Sequence, residues 1–322
     1  MKKRRNVDFR NAFVLILFIV IGILLVAGFS KLSLWNKITG KALTEPASVT
    51  ASVNNVAPVI FSNNLDLTTN IALLGGTTRQ VNISFKVQDN NGFNDINATS
   101  LGTYVNISRA EVTRQSAPES CIKSPGGTPK RADINCSVLM QFFDANATDW
   151  TVVVSVGDIG GLRGSNAART ITVDLLKDIS ITTTPPSSPT TLNFTTLIPG
   201  ATDQGAGNDP INITNNGNYQ GKIAIDGFNL TNGIDVIPIF NFTVHNISGQ
   251  ECILPSEGGT ATQLTDAASG DLITNSSLPR GPSGSNVEQL FFCADSLPDP
   301  LSSGVYESKD TTTPIPWVIL LP

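Results

Sequence analysis

The stretch VNISFKV (residues 81–87) indicates the fold class, because its apolar and polar side chains alternate without interruption. On an extended chain Val81, Ile83, Phe85 and Val87 point to one face, and the polar side chains between them point to the other. This period of two is typical of an antiparallel strand with one buried face and one wet face. The stretch therefore predicts an all-β fold.

The same alternation recurs on both sides of a proline-rich segment. It is found in YVNIS, INCSVLMQF, DWTVVVSV and ARTITVDLL before that segment, and in LNFTTL, PINIT, GKIAIDGF, IFNFTVH, EQLFFC and PWVILLP after it. Clusters of Gly, Asn, Asp and Pro separate these strands at the spacing expected of β-sandwiches. The segment itself, TTPPSSPT (residues 183–190), resists both helix and sheet. We therefore predict two β-sandwich domains, over 57–180 and 191–322, with a linker at 181–190 between them.

The N-terminus predicts a membrane anchor. A basic tail (residues 1–11) precedes the run AFVLILFIVIGILLVAGF (residues 12–29), which carries no charge over 18 residues. That length is near the minimum of about 17 residues for a transmembrane helix and exceeds the core of a signal peptide. Positive charge stays in the cytoplasm, so residues 30–56 become an extracellular stalk in a single-pass protein of the cell membrane. Cleavage near Gly28 is the alternative, and it also leaves the domains outside.

The charge distribution narrows the choice of partners. Beyond residue 30 the chain holds 16 basic and 25 acidic side chains, a net charge of −9. Nucleic acid needs a basic surface, so we expect no nucleic-acid partner.

Cysteine usage indicates an oxidising compartment. The four cysteines form two sequence-local pairs, and none has the CxxC spacing of a zinc or redox site. We predict the disulfides Cys121–Cys136 and Cys252–Cys293, each within one domain. Free buried thiols are the alternative.

A short phrase occurs twice, as FKVQDNNGFNDINA (residues 85–98) and as VSVGDIGGLRGSNA (residues 154–167). Both copies keep a Val, an Asp and a Gly in register. This pattern predicts a turn at a strand end, in which the Asp bonds the backbone and the Gly adopts a positive φ.

A calcium site is the alternative interpretation of the first copy. Four oxygen-bearing side chains fall within seven residues there, namely Asp89, Asn91, Asn94 and Asp95. The spacing departs from an EF-hand loop, and the second copy has lost most of these ligands. We therefore favour the turn interpretation.

Signals for catalysis are weak. The one histidine, His245, lies in NFTVHNIS, where the alternation predicts that it is exposed on the wet face of a strand. The sequence has no phosphate-binding loop, GxSxG or HExxH motif. We predict a non-enzymatic protein with no cofactor apart from the calcium alternative. Glycosidase carboxylates carry no short motif, so a carboxylate pair assembled by folding stays open as an alternative.

Signals for N-glycosylation are abundant. In seven of eleven Asn-x-Ser/Thr motifs the middle residue is large and apolar, so on a strand the Asn faces solvent. The alternative is that amphipathic strands rich in Asn and Thr produce the motif without being modified. The motifs begin at Asn82, Asn97, Asn106, Asn135, Asn146, Asn193, Asn212, Asn229, Asn241, Asn246 and Asn275.

Several strand-and-turn motifs carry a family resemblance. They are V-x-D-x-x-G at 87–92 and 156–161, DWT at 149–151, LNFTTLIPG at 192–200, DPINITNNGN at 209–218, IAIDGFNLT at 223–231, and LPRG followed by QLFFC within 278–293. Together they resemble the Ig-like β-sandwich modules of membrane-anchored, N-glycosylated cell-surface proteins, most closely those of archaeal envelopes. The resemblance covers most of residues 57–322 and implies an extracellular scaffold without an active site.

The sequence thus predicts a structural or adhesive surface protein with two Ig-like β-sandwich domains in tandem behind a transmembrane helix. Its expected partners are the membrane, through that helix, and other envelope proteins or glycans. A solute- or glycan-binding protein is one alternative and requires an exposed aromatic or acidic pocket. An envelope carbohydrate-active enzyme is the other and requires carboxylates that converge in a cleft.

Overall fold

The computed structural model describes residues 21, 50–61, 65–99, 102–110, 112–183, 191–267, 269–310, 313–314 and 316–322. The chain divides into Met1–Asn54 and Asn55–Pro322, and every strand given below lies in the second unit. Within the described ranges no helix is both long and apolar enough to cross a membrane. The predicted tail (1–11), the anchor (12–29, apart from Ile21) and the stalk up to residue 49 lie outside those ranges.

The fold is all-β, which confirms the prediction from strand alternation. Residues 55–173, called here the N-terminal half, contain eleven strands and a 3-10 turn at Phe93–Asp95 in their described part. The strands are β1 (Val59–Ile60), β2 (Asp66–Leu67), β3 (Asn70–Ile71), β4 (Thr78–Gln88), β5 (Ile96–Asn97), β6 (Thr103–Arg109), β7 (Val112–Gln115), β8 (Cys121–Pro125), β9 (Arg131–Gln141), β10 (Ala147–Asp158) and β11 (Arg163–Val173).

Two sheets build the N-terminal half. One has the order β1-β4-β9-β8 with β2 also paired to β4, and the other has the order β3-β11-β10-β6-β7 with β5 also paired to β10. The pairing of β4 with β9 continues without a register shift from Thr78↔Gln141 to Gln88↔Arg131. Strand β3 pairs with β11 in parallel, whereas the other pairs are antiparallel.

The two sheets of the N-terminal half enclose one hydrophobic core. Alternate positions of β4 and β9 face alternate positions of β6, β10 and β11 across it. The stretch VNISFKV (residues 81–87) is buried on one face as predicted, because Val81, Ile83, Phe85 and Val87 are all buried. Trp150 on β10 is 1% exposed, and its indole Nε1 donates to Ala145 O at 2.9 Å. Burying this ring therefore leaves no donor unsatisfied.

Residues 174–322, the C-terminal half, contain thirteen strands and 3-10 turns at Ile239–Asn241 and Pro255–Glu257 in their described part. The strands are β12 (Ile179–Thr182), β13 (Thr202–Gly205), β14 (Ile211–Asn215), β15 (Ala224–Asp226), β16 (Leu230–Thr231), β17 (Val236–Ile237), β18 (Phe242–His245), β19 (Thr262–Gln263), β20 (Asp271–Leu272), β21 (Val287–Ser296), β22 (Glu307–Asp310), β23 (Thr313–Pro314) and β24 (Val318–Leu320).

A second core lies between one large and two small sheets of the C-terminal half. The large sheet has the order β12-β14-β21-β18-β19 with β13 also paired to β21, and the small ones have the orders β20-β15-β24 and β17-β16-β22-β23. Aromatic rings occupy its centre. Phe242 packs edge-on against Trp317 with ring centroids 5.3 Å apart, and Phe292 lies 6.4 Å from the same indole. The closing segment PWVILLP contributes β24, as its pattern predicted.

The two halves are joined through residues 174–178. The Asn218 side chain holds this segment, because its Oδ1 accepts from Leu176 N at 2.7 Å and its Nδ2 donates to Asp174 O at 2.8 Å. Strand β12, which crosses the predicted boundary at residue 180, pairs with β14 of the C-terminal half. The predicted linker (181–190) therefore begins within the first strand of that half, and its residues 184–190 lie outside the described ranges.

One predicted strand is wrong. The segment LNFTTL (residues 192–197) is not a strand, although it keeps the alternation and its apolar side chains pack on the second core. Its backbone bonds a turn instead of a neighbouring strand. Asn193 N donates to Asn208 Oδ1 at 2.8 Å, and Asn193 O accepts from Gly207 N at 2.7 Å.

Candidate metal centre

The two copies of the repeated phrase both end a strand in a turn. Asp89 follows β4, and its Oδ1 accepts from Asn91 N at 2.7 Å. Asp158 ends β10, and its Oδ1 accepts from Leu162 N at 2.8 Å. The glycines at the shared position, Gly92 and Gly161, have φ values of 116° and 90°. The predicted turn is thus confirmed in both copies.

The turns belong to facing sheets, yet the fold brings them together at one edge of the first core. The short strand β5 pairs with the end of β10, with Asp158 opposite Ile96. Ile159 N also donates to Asp95 O at 2.8 Å. As a result, carboxylate oxygens of Asp89, Asp95 and Asp158 all lie within 4.8 Å of one another.

Two oxygens of this acidic cluster (Asp89, Asp95 and Asp158) are buried without a hydrogen-bond partner. They are Asp89 Oδ2 and Asp95 Oδ2. The exposed fraction is 0% for Asp89 and 2% for Asp158. Burial raises the pKa of Asp89 above its usual range, and repulsion by Asp95 and Asp158 adds to the shift, against hydrogen bonds from Asn91 N and Gly92 N.

The surroundings of the cluster offer little compensating charge. Asp158 Oδ2 accepts from the neutral Asn55 amide at 2.9 Å. The nearby Lys123 ammonium donates to Phe93 O at 3.0 Å and Ile96 O at 2.7 Å, and lies 4.3 Å from the Phe93 ring centroid. The described part of the chain shows three ion pairs, and each of them uses other acids.

A second buried acid in the same half shows the usual arrangement. Asp144 is 3% exposed, and both of its oxygens accept from Arg114 Nε at 3.0 Å. Its Oδ2 also accepts from Gln141 N at 2.8 Å. Buried carboxylates are normally neutralised in this way, so the acidic cluster departs from the usual arrangement within the N-terminal half.

The structure revises the predicted ligand set. Asp89 and Asp95 belong to the cluster, whereas Asn91 Oδ1 accepts from Val56 N at 3.0 Å and Asn94 is exposed. The ligand set predicted from the sequence lacks Asp158, because the second copy has few other oxygen-bearing side chains beside it. The register of the repeat, which aligns Asp158 with Asp89, was the signal that could have found it.

Both predicted disulfides are formed, Cys121–Cys136 and Cys252–Cys293. The first joins the paired strands β8 and β9. The second ties the loop after β18 to the buried strand β21. Asp203 lies beside this second bond, but sulfurs held in a disulfide are not thiolate ligands for a metal.

The predicted exposure of His245 is wrong. The residue is 1% exposed, and all four residues of β18 are buried. His245 Nδ1 accepts from Ile247 N at 2.9 Å, and Nε2 lies 2.8 Å from Thr260 Oγ1. The loop after β18 covers the face that the alternation left open to solvent.

Two carboxylates approach each other in the C-terminal half. Asp209 Oδ2 accepts from Phe292 N at 2.8 Å, while Asp209 Oδ1 and Glu251 Oε2 are buried without a partner. Burial, with repulsion by Glu251 added, raises the pKa of Asp209 to about 7. Neither carboxylate lines the cleft of this half.

That cleft has a volume of about 1020 Å³. Ile211 and Phe292 of the large sheet line one side, and Leu230 and Trp317 line the side of the small sheets. The segment 192–197 borders it. The lining combines apolar and aromatic side chains with polar ones such as Thr195, Ser302 and Glu307.

The predicted glycosylation sites differ in exposure. Six of the eleven asparagines are exposed and four are half-buried, whereas Asn241 is 7% exposed in a 3-10 turn. The exposed ones are Asn82, Asn135, Asn146, Asn193, Asn229 and Asn275. Use of these sites stays a prediction.

Comparisons with protein families and with curated proteins identify no relative of this chain. The chain matches no protein-family profile, and no curated protein is significantly similar to it.

Proposed function

We propose that the chain is a non-enzymatic, membrane-anchored surface protein that displays two Ig-like β-sandwich domains outside the cell membrane in a structural or adhesive role. The observation that carries this proposal is the pair of disulfides, each closed within one half of the chain. Such bonds persist in oxidising, extracytoplasmic compartments and are rare in the cytosol. They follow a basic tail and an 18-residue apolar run in the sequence.

The distribution of charge and polar groups supports a solvated, extracellular scaffold. The net charge of −9 beyond residue 30 favours solubility outside the cell. Asparagines of six glycosylation motifs are exposed, so glycans there could hydrate the sheets and shield their edge strands from pairing with neighbours. We therefore expect the domains to act in the cell envelope, with other envelope proteins or glycans as their partners.

Thiol labelling in intact cells tests the proposed topology. An impermeant maleimide should label Leu139→Cys in intact cells, because this position is exposed whereas the native cysteines are held in disulfides. A matched variant, Asn6→Cys, places a thiol in the basic tail and should be labelled only after the membrane is permeabilised. The protein should also stay with the membrane during carbonate extraction. Labelling of Asn6→Cys in intact cells, or recovery of a soluble chain that begins near Phe29, would contradict the proposal.

A second candidate function is the binding of a small solute in the cleft of the C-terminal half. Its lining combines aromatic rings such as Trp317 with hydroxyl groups such as those of Thr195 and Ser302, which suits a ligand that has both apolar and polar surface. Titration with the dye anilinonaphthalene sulfonate tests this. Saturable binding that Leu230→Trp weakens, and that Trp at the exposed Leu139 leaves unchanged, would support the solute-binding role. Equal effects of the two variants would count against it.

A further inference from the structure

We propose that Asp89, Asp95 and Asp158 bind one calcium ion that joins the two sheets of the N-terminal half. The inference is independent of the proposed surface role. It rests on the meeting of the two copies of the repeated phrase, which places three carboxylates at one edge of the first core with their oxygens within 4.8 Å of one another.

The burial of uncompensated charge points to a bound cation. Asp89 is completely buried, and its Oδ2 has no hydrogen-bond partner although Asp95 and Asp158 lie beside it. Asp95 is half-buried, but its Oδ2 atom is also buried without a hydrogen-bond partner. An unpaired buried carboxylate is costly. A divalent ion among the three oxygens would replace mutual repulsion by attraction.

The chemistry of the ligands selects a hard cation. Every side chain of the acidic cluster offers oxygen, whereas zinc sites are usually built from histidine and cysteine. Calcium binds oxygen at about 2.4 Å, so ligands on opposite sides of the ion lie about 4.8 Å apart. The three carboxylates fit within that limit. Magnesium requires a tighter octahedron and keeps several waters, so it is expected to bind more weakly here.

The site would also fix the segment through which the chain enters the N-terminal half. Asn55 Nδ2 donates to Asp158 Oδ2 at 2.9 Å, and Val56 N donates to Asn91 Oδ1 at 3.0 Å. The ion would therefore hold the ends of β4 and β10 together with residues 55–56. Affinity for calcium depends on the number of charged ligands, and only three protein ligands meet here, so we expect a weak dissociation constant of about 10⁻⁴ to 10⁻³ M.

The variant Asp95→Asn gives the clearest test, because Asp95 Oδ2 is buried and has no hydrogen-bond partner among the described residues. Removing its charge should relieve repulsion in the apo protein and lower the ligand charge that holds calcium in the bound protein. The melting temperature of the variant should therefore be higher than that of the wild type in EDTA, and calcium should raise it less. A higher melting temperature in EDTA would also show that the variant is folded, so that its weaker response to calcium is not caused by misfolding.

The experiment uses the full-length chain in detergent, stripped with EDTA and titrated with CaCl₂ or MgCl₂ at constant ionic strength. Calcium should raise the melting temperature of the wild type saturably, and more than magnesium does. Asp95→Asn should weaken calcium binding about tenfold or more, because affinity follows the ligand charge count. The control Asp133→Asn removes a half-buried acid of the same half that pairs with Lys86, outside the cluster, and should show the calcium response of the wild type. Equal shifts from both metals, no shift from calcium, or equal calcium affinity in the two variants would overturn the proposal.

Discussion

The substitution Asp209→Asn tests the electrostatics of the C-terminal half. Asp209 accepts a hydrogen bond from Phe292 N, and an asparagine Oδ1 can accept the same bond. The other Asp209 oxygen is buried without a partner, in a region that also contains the buried Glu251 Oε2. Burial, opposed by the bond from Phe292 and assisted by Glu251, raises the pKa of Asp209 to about 7. The amide removes this titration.

The sign of the effect follows from proton binding. The folded-state pKa of Asp209 lies above the unfolded value of about 3.9, so folding favours the protonated acid. This contribution to stability is complete below about pH 4 and is lost as the pH rises through 7. Each tenfold change in proton affinity is worth about 1.4 kcal/mol, which gives about 4 kcal/mol as an upper limit. Asp209 is only partly buried, so screening by solvent reduces the expected loss to about 1–2 kcal/mol.

Guanidinium unfolding of both proteins between about pH 4.5 and about pH 8 measures this loss. The unfolding free energy of Asp209→Asn minus that of the wild type should rise by about 1–2 kcal/mol over the range. Burial also raises the pKa of Glu288 and Asp295, but both titrate in either protein and cancel in the difference. Asp266→Asn, which alters an exposed acid of the same half, should show no such trend. A difference for Asp209→Asn that stays flat or falls with pH would show that Asp209 does not have a raised pKa in the folded protein.

Three further predictions concern a disulfide, a closely packed glycine and the glycosylation sites. Replacing both cysteines of the first disulfide by alanine should lower the unfolding free energy by about 3 kcal/mol, the value for a loop of about 15 residues, as measured by denaturant titration. Gly217→Ala should cost about 1–3 kcal/mol, because a Cβ there would lie 2.2 Å from Leu176 O. Alanine at Gly205, where a Cβ meets no atom within 4 Å, is the control. Glycopeptide mass spectrometry of native material should find glycan at the exposed Asn82 and none at the buried Asn241, and the reverse pattern would contradict this expectation.

Local patterns in the sequence predicted many of the strands and both disulfides. The alternation in β4, β9, β10 and β21 is a property of neighbouring residues, and the structure places a strand at each. The disulfides were also predictable, since each pair is local in sequence. Alternation does not specify which backbone groups a segment will bond. For that reason LNFTTL, whose Asn193 bonds the turn at Gly207 and Asn208, was mistaken for a strand.

The positions that sequence reasoning missed depend on distant parts of the chain. Alternation shows which side chains of β18 share a face, but not whether a loop covers that face. His245 is buried by contacts with Thr260 and Asn275, which are 15 and 30 residues further along. Asp209 and Glu251 likewise come from different segments, so their electrostatic coupling could not be predicted from spacing.

The turn and the cation site are two uses of the same aspartate, because a carboxylate has two oxygens. In both copies of the repeated phrase Oδ1 closes the turn, by bonding Asn91 N in the first and Leu162 N in the second. The second oxygen of Asp89 is left without a partner, and that of Asp158 bonds the amide of Asn55. The turn aspartate that both copies share, at two facing strand ends, therefore supplies two ligands without giving up the hydrogen bond that closes each turn.

The two copies differ at the next acidic position, and the packing of the chain explains why they form one site and not two. Asp95 of the first copy aligns with Gly164 of the second. A Cβ at Gly164 would lie 2.0 Å from Pro58 O, so the segment that follows residues 55–56 occupies the space that a second Asp would need. The second copy can therefore contribute only Asp158. The same segment that excludes a second site donates the Asn55 bond to the first, which links calcium binding to the anchoring of this end of the N-terminal half.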